Sequence, residues 1–170
     1  MNLKKNLIFL GMMGSGKSSI GFLVSKKINY KFIDIDDLIE EAMGMKISAI
    51  FEKFGENYFR NLEEKITLGA LKTHKSVISL GGGGFINEKI RKETLINHLS
   101  FWLYCNAEIL LKRIKHSKKR PLAFKSTDLE IKNLIKKRAI IYAKAKFKIN
   151  CNKITKTGIV KEIIKIYELN

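Results

Sequence analysis

Apolar positions along this chain follow two alternating rhythms. Short apolar runs such as Leu7–Leu10 and Val77–Leu80 are followed by longer stretches in which apolar residues recur every three or four positions. The short runs have the length of strands buried on both faces, and the longer ones have the period of amphipathic helices. The pattern predicts strands at Leu7–Leu10, Lys31–Ile35, Val77–Leu80, Phe101–Cys105 and Phe147–Cys151. It predicts helices from Lys17 to about 29, then over 37–43, 47–54, 57–73, 87–97 and 107–116. A long helix ending near 145 and a last one from about 157 complete the set. Residues 117–127 are polar and hold the only proline, Pro121, so a mobile loop is expected there. Five strands separated by helices argue for a three-layer α/β fold around a five-stranded parallel sheet. With no internal repeat and no linker composition, residues 1–170 are read as a single domain.

Composition narrows the classes. The chain has 170 residues, and 45% of them are apolar, which excludes disorder. Met1–Lys5 followed by Asn6–Leu10 has the outline of a signal peptide, but the apolar run stops at Gly11 without a cleavage pattern. It is read as a strand. No run approaches the ~18 apolar residues of a membrane-spanning helix. Two cysteines, Cys105 and Cys151, give neither a disulfide scaffold nor metal-ligand spacing. Free thiols in a reducing cytoplasm are expected. The formal charge of +17 suggests anionic partners. However, 28 of the 33 basic residues are Lys and only five are Arg. The lysines are scattered over exposed helix positions, where they read as solvated faces. The arginines at 60, 91, 113, 120 and 138 are therefore the informative cations.

The first strand leads into Gly11-Met12-Met13-Gly14-Ser15-Gly16-Lys17-Ser18, which fits the phosphate-binding pattern G-x-x-x-x-G-K-[ST]. Glycines let backbone N–H groups turn toward phosphate oxygens, and the helix that follows adds its N-terminal dipole. Lys17 is placed to reach the β- and γ-phosphates, and the Ser18 hydroxyl to ligate Mg²⁺. Binding of ATP or GTP is the expectation.

Three of the four aspartates, Asp34, Asp36 and Asp37, follow the second strand. Parallel sheets place their sites at this carboxyl edge. In an extended backbone Asp34 and Asp36 point to one side, one to hold metal and the other to orient a substrate hydroxyl or take its proton. The competing reading is an N-cap by Asp36 or Asp37. The third strand ends Ser79-Leu80-Gly81 with no acid, which favours Asp34 as the metal-side carboxylate.

Arginine's planar fork binds carboxylate or phosphate bidentately. Arg60 has Glu63 one turn away to fix its guanidinium. Arg120 precedes Pro121 in the polar loop and is placed to reach over a γ-phosphate, while Arg113 and Arg138 flank that loop. Gly81–Gly84 offers backbone donors to an anion. Lys118-Lys119-Arg120-Pro121 also admits a nucleic-acid reading, but no aromatic interleaving supports it.

These segments together resemble the shikimate kinase family. The likeness rests on Gly11–Ser18, Phe32-Ile33-Asp34-Ile35-Asp36, Phe59-Arg60-x-x-Glu63, Ser79-Leu80-Gly81-Gly82-Gly83, Arg120-Pro121-Leu122, and Arg138 with Tyr142. It runs over nearly the whole chain. The resemblance implies a P-loop kinase core with a helical substrate-binding region at about 36–62 and a mobile lid at about 116–127. It implies transfer of the ATP γ-phosphoryl group to the 3-hydroxyl of shikimate in aromatic amino-acid biosynthesis. Arg60 and Arg138 would clamp the substrate carboxylate, and Asp36 would bind its hydroxyls and act as base. Gly81, Gly82 and Gly83 would contact shikimate beside an apolar wall of Phe51 and Phe59. Gly14, Ser15, Gly16, Lys17, Ser18 and Ser19 would hold ATP, with Arg113 against adenine and Arg120 on the moving phosphate. Lys17 and Arg120 would join Asp36 in catalysis, and Ser18 and Asp34 would hold Mg²⁺. A cytoplasmic monomer with no nucleic-acid or membrane partner is implied. The family often has a proline in the loop after the last strand; Asn152–Gly158 has none. The nearest rival is another small-metabolite kinase such as gluconate kinase, which gives no reason for two carboxylate-binding arginines. A nucleoside monophosphate kinase would show an Asp-Gly-x-Pro-Arg-type segment, which is absent.

Overall fold

In the computed structural model, which describes residues 5–115 and 126–170, five parallel strands form one sheet. They are β1 (Leu7–Leu10), β2 (Lys31–Asp34), β3 (Ser76–Ser79), β4 (Leu99–Tyr104) and β5 (Phe147–Asn150), side by side in the order β2-β3-β1-β4-β5. β1 is central, which is why Leu-Ile-Phe-Leu is buried at all four positions. Its register sets Leu7 against Val77 on one side and Leu99 on the other. The helices are α1 (Lys17–Ile28), α2 (Ile35–Met43), α3 (Ile47–Leu71), α4 (Glu88–Asn97), α5 (Ala107–Lys115), α6 (Asp128–Tyr142) and α7 (Lys156–Glu168). A 3₁₀ turn at Gly84–Ile86 precedes α4.

Several boundaries differ from the pattern-based reading, each for a local reason. β2 stops at Asp34 because that residue is the N-cap of α2, so the helix starts at Ile35. The two helices expected at 47–54 and 57–73 form one element with a break at Gly55. Its φ of 80° and ψ of 172° suit only glycine. α6 opens on a capping box in which Thr127 and Glu130 exchange hydrogen bonds. The expected lid at 116–127, with Arg120 and Pro121, falls almost entirely outside the described residues.

The edge of the sheet opposite the phosphate loop is held by buried polar groups. Asn6 donates to the carbonyls of Leu71 and Thr73 at 3.2 and 2.6 Å and accepts from Ser76 N at 3.0 Å. His98, just before β4, is 7% exposed, and neither ring nitrogen has a hydrogen-bond partner among the described residues. Burial holds its pKa below the usual imidazole value, and Lys146 adds to this against the attraction of Glu93. The folded protein thus prefers the neutral ring, while the unfolded chain takes up a proton near pH 6.5. Stability contributed by the neutral ring is complete above that pH and is lost as pH falls through it. Thermal melting from pH 7.5 to 5 is expected to show Tm dropping below about pH 6.5. In His98→Gln the acid-side drop should be smaller by a few degrees. Parallel Tm profiles for the two proteins would exclude His98 as the source.

Candidate active site

The site is built at the carboxyl edge of the sheet. After β1 the chain turns through Gly11, Gly14 and Gly16, all at positive φ (143°, 80° and 96°). A side chain at Gly11 would also strike the Leu103 carbonyl, 2.8 Å from its Cβ. Lys17 arches back over the loop and donates to Gly11 O at 2.9 Å and Met12 O at 3.1 Å. α1 has no side-chain cap, so its first N–H groups face the loop's hollow. The Ser15 hydroxyl is buried there with no partner among the described residues. An unsatisfied buried hydroxyl, uncapped helix donors and a buried ammonium are the groups that phosphate oxygens satisfy. The loop therefore fits a nucleotide polyphosphate.

Asp34 ends β2 and does two things. Its Oδ1 accepts from Asp36 N at 3.0 Å, and its Oδ2 accepts the Ser18 hydroxyl at 2.5 Å. The cap of α2 is thus Asp34, not Asp36 or Asp37. Asp36 does not alternate with Asp34 along an extended strand; it sits in the first turn of α2. The pairing of Asp34 with Ser18 nonetheless brings two hard oxygen donors together. Mg²⁺ takes oxygen ligands and keeps several waters, so these residues fit it.

Beside this lies a second cluster around Gly81–Gly83. A Cβ on Gly81 would stand 2.7 Å from both Asp36 Oδ1 and Glu63 Oε1. One on Gly82 would stand 3.3 Å from Arg138 Nη1, and one on Gly83 would collide with the Arg60 guanidinium. Four charged side chains from α2, α3 and α6 thus converge on a backbone stretch that only glycine leaves open. Arg60 Nη1 donates to Glu63 at 2.7 Å, while Nε and Nη2 reach Glu56 at 3.3 Å. Its guanidinium lies 5.1 Å from the Phe59 ring centre, and Phe51 packs 4.5 Å from Phe59. Glu63 is 2% exposed, and burial raises its pKa above the usual carboxylate range against the pull of Arg60. Arg138 and Tyr142 share one face of α6. The Tyr142 hydroxyl donates to Gly82 O, and burial pushes its pKa up to about 12.

Arg113 donates to Gly14 O at 3.0 Å, so it braces the phosphate loop. Sequence reasoning assigned no contact to Lys156, whose ammonium reaches the Ser19 hydroxyl at 3.1 Å. The loop after β5 is tied down without proline: Asn152 Oδ1 accepts from Asn106 N at 2.7 Å. Tyr142 was visible only as a motif position, and the burial of Glu63 depends on tertiary packing that no local pattern encodes.

Comparison with known proteins decides between the rival readings. The shikimate kinase family model matches residues 13–168. The chain belongs to the shikimate kinase family. The kinase is 38% identical over 165 residues to the shikimate kinase of Thermodesulfovibrio yellowstonii, covering 96% of this chain and 95% of that one. It is 41% identical over 160 residues to that of Sulfurihydrogenibium sp., covering 94% and 96%. Among solved structures, shikimate kinase from Acinetobacter baumannii in complex with shikimate superposes with a TM-score of 0.91 at 27% identity, over 98% of this chain and 94% of that chain. The kinase shares only 14% identity, at a TM-score of 0.59, with a gluconokinase from Sinorhizobium meliloti, a likeness of fold alone. The kinase is accordingly an ATP-dependent enzyme that phosphorylates shikimate. Among its described helices, none is long and apolar enough to cross a membrane.

Proposed function

We propose that this kinase binds shikimate between Arg60, Arg138, Asp36 and the Gly81–Gly83 turn and phosphorylates its 3-hydroxyl from ATP. The convergence of two arginines and Asp36 on one glycine stretch carries this reading. The arginines hold the carboxylate, which a planar fork grips bidentately. Phe51 and Phe59 wall the apolar side of the ring. Asp36 accepts a hydrogen bond from the reacting hydroxyl and takes its proton as the new O–P bond forms and the β–γ bridge bond breaks. Gly14 to Ser19 cradle the polyphosphate, with the Lys17 ammonium facing the oxygens where charge accumulates. Ser18 and Asp34 would hold Mg²⁺, which when bound neutralises phosphate charge. Most of the rate enhancement then comes from positioning and fixed charge.

Arg120 belongs to this proposal as the lid cation, Arg113 as the residue on the adenine side. Two free, buried cysteines suit a reducing cytoplasm, and one chain carries every group the reaction needs, so we propose a cytoplasmic monomer. ADP release with Mg-ATP against shikimate, gluconate and AMP tests the assignment. Turnover with shikimate alone is expected. Turnover with gluconate or AMP and not shikimate would overturn it.

A further inference from the structure

The mechanism leaves the two cysteines unused, yet Cys105 touches the phosphate loop at Ser15 O. The register pairs Tyr104 with Asn150, and Cys151 N donates to Tyr104 O at 2.8 Å; continued one residue past the strand ends, it sets Cys105 opposite Cys151. Paired residues of adjacent parallel strands send their side chains to the same face. Strand spacing of about 4.8 Å falls inside the Cα separation that a disulfide spans. The Cys151 thiol donates to Ile149 O at 3.5 Å. The Cys105 thiol also contacts Ser15 O at 3.9 Å and receives Arg113 Nη1 at 3.8 Å. Arg113 Nη1 simultaneously donates to Gly14 O at 3.0 Å. The sulfur is therefore part of what holds the loop's floor. It also lines a small cavity between Met12, Trp102, Leu110, Ile135 and Tyr142, with room for molecules of water size.

We propose that Cys105 is a modification site for peroxide-class oxidants and that its oxidation, completed by a disulfide to Cys151, releases the phosphate loop and weakens nucleotide binding. The neighbouring Cys151 thiol, with Arg113 and the Lys17 charge, lowers the Cys105 pKa to about 7 despite burial, which favours the reactive thiolate. The nearby Cys105 and burial push Cys151 up, which favours its thiol form. In the first step the Cys105 thiolate attacks one peroxide oxygen. An S–O bond forms, the O–O bond breaks, hydroxide leaves, and sulfur is oxidised by the two electrons that reduce the peroxide. In the second step the Cys151 sulfur attacks the sulfenic sulfur. The S–S bond forms, the S–O bond breaks, and the Cys151 proton leaves with the hydroxyl as water. The new bond draws Cys105 away from Ser15 and Arg113. An added dithiol restores the resting state.

The test treats the intact protein with hydrogen peroxide and follows intact mass and ADP affinity, a readout independent of shikimate turnover. Loss of the mass of two hydrogens is expected, with ADP binding weakened about tenfold or more and restored by dithiothreitol. Saturating ADP should slow the reaction. Cys151→Ala should gain oxygen mass at Cys105 and form no disulfide. No loss of two hydrogens in the wild-type protein would overturn the proposal, as would a disulfide that leaves ADP affinity unchanged.

Discussion

Replacing Asp36 with Asn is expected to lower kcat about 10²- to 10⁴-fold, the range typical of losing a positioned general base. The asparagine keeps the shape and can still accept a hydrogen bond from the hydroxyl, but it cannot take the proton. Nucleotide affinity should hold, because Asp36 lies on α2 against Gly81 and the phosphate loop is built by other residues. A second readout separates a chemical role from a structural one. Asp36 helps to raise the Glu63 pKa, so the variant should bring that carboxyl down toward its ordinary range. Single-turnover kinetics with shikimate and an ADP titration check both halves. Near wild-type kcat would remove Asp36 from proton transfer.

Arg60→Lys is expected to raise KM for shikimate about 10- to 100-fold, with a smaller effect on kcat and none on KM for ATP. Hydrogen bonds to charged groups contribute roughly 1.5–3 kcal/mol, and a lysine ammonium cannot present the two parallel donors of a guanidinium. Geometry indicates which of Arg60's contacts substrate replaces. Glu63 is 3% exposed at its side chain and stays paired, since stripping a buried carboxylate of its partner is costly. Glu56 is 65% exposed, and such a surface pair is worth little, so its edge of the fork yields to the incoming carboxylate. The lysine keeps a charge for Glu63, so folding survives and the binding loss can be read cleanly. Unchanged KM for shikimate would argue against a bidentate clamp.

The sheet, the phosphate loop and the order of elements were legible because they rest on local pattern. A run of four apolar residues, a glycine turn and Gly-Lys-Ser need no tertiary information. The acidic cluster was legible as chemistry but not as geometry. Asp34, Asp36 and Asp37 are each good helix caps, and the structure selects Asp34, whose other oxygen is also engaged by Ser18 from α1. That contact joins residues 16 apart. The charge network around Gly81–Gly83 was beyond local reading for the same reason. Its members come from three helices, and the need for glycine is set by the side chains opposite, not by a turn. Arg113 shows the limit differently. Its type and helix were predicted, but its engagement with Gly14 O depends on how α5 packs against the loop.

The break in α3 has one more consequence. At Gly55 the added Cβ of any other residue would meet nothing within 4 Å, so the glycine is there for its backbone angle, not for space. The helical ladder is interrupted at that point, which divides α3 into two rods joined at one pivot. Phe51 rides on the first rod, and Phe59, Arg60 and Glu63 ride on the second. The Phe51 half of the apolar wall can therefore tilt over a bound ring without dragging Phe59 and the charged clamp out of register. Tightness of enclosure and accuracy of charge placement become separately adjustable within one element.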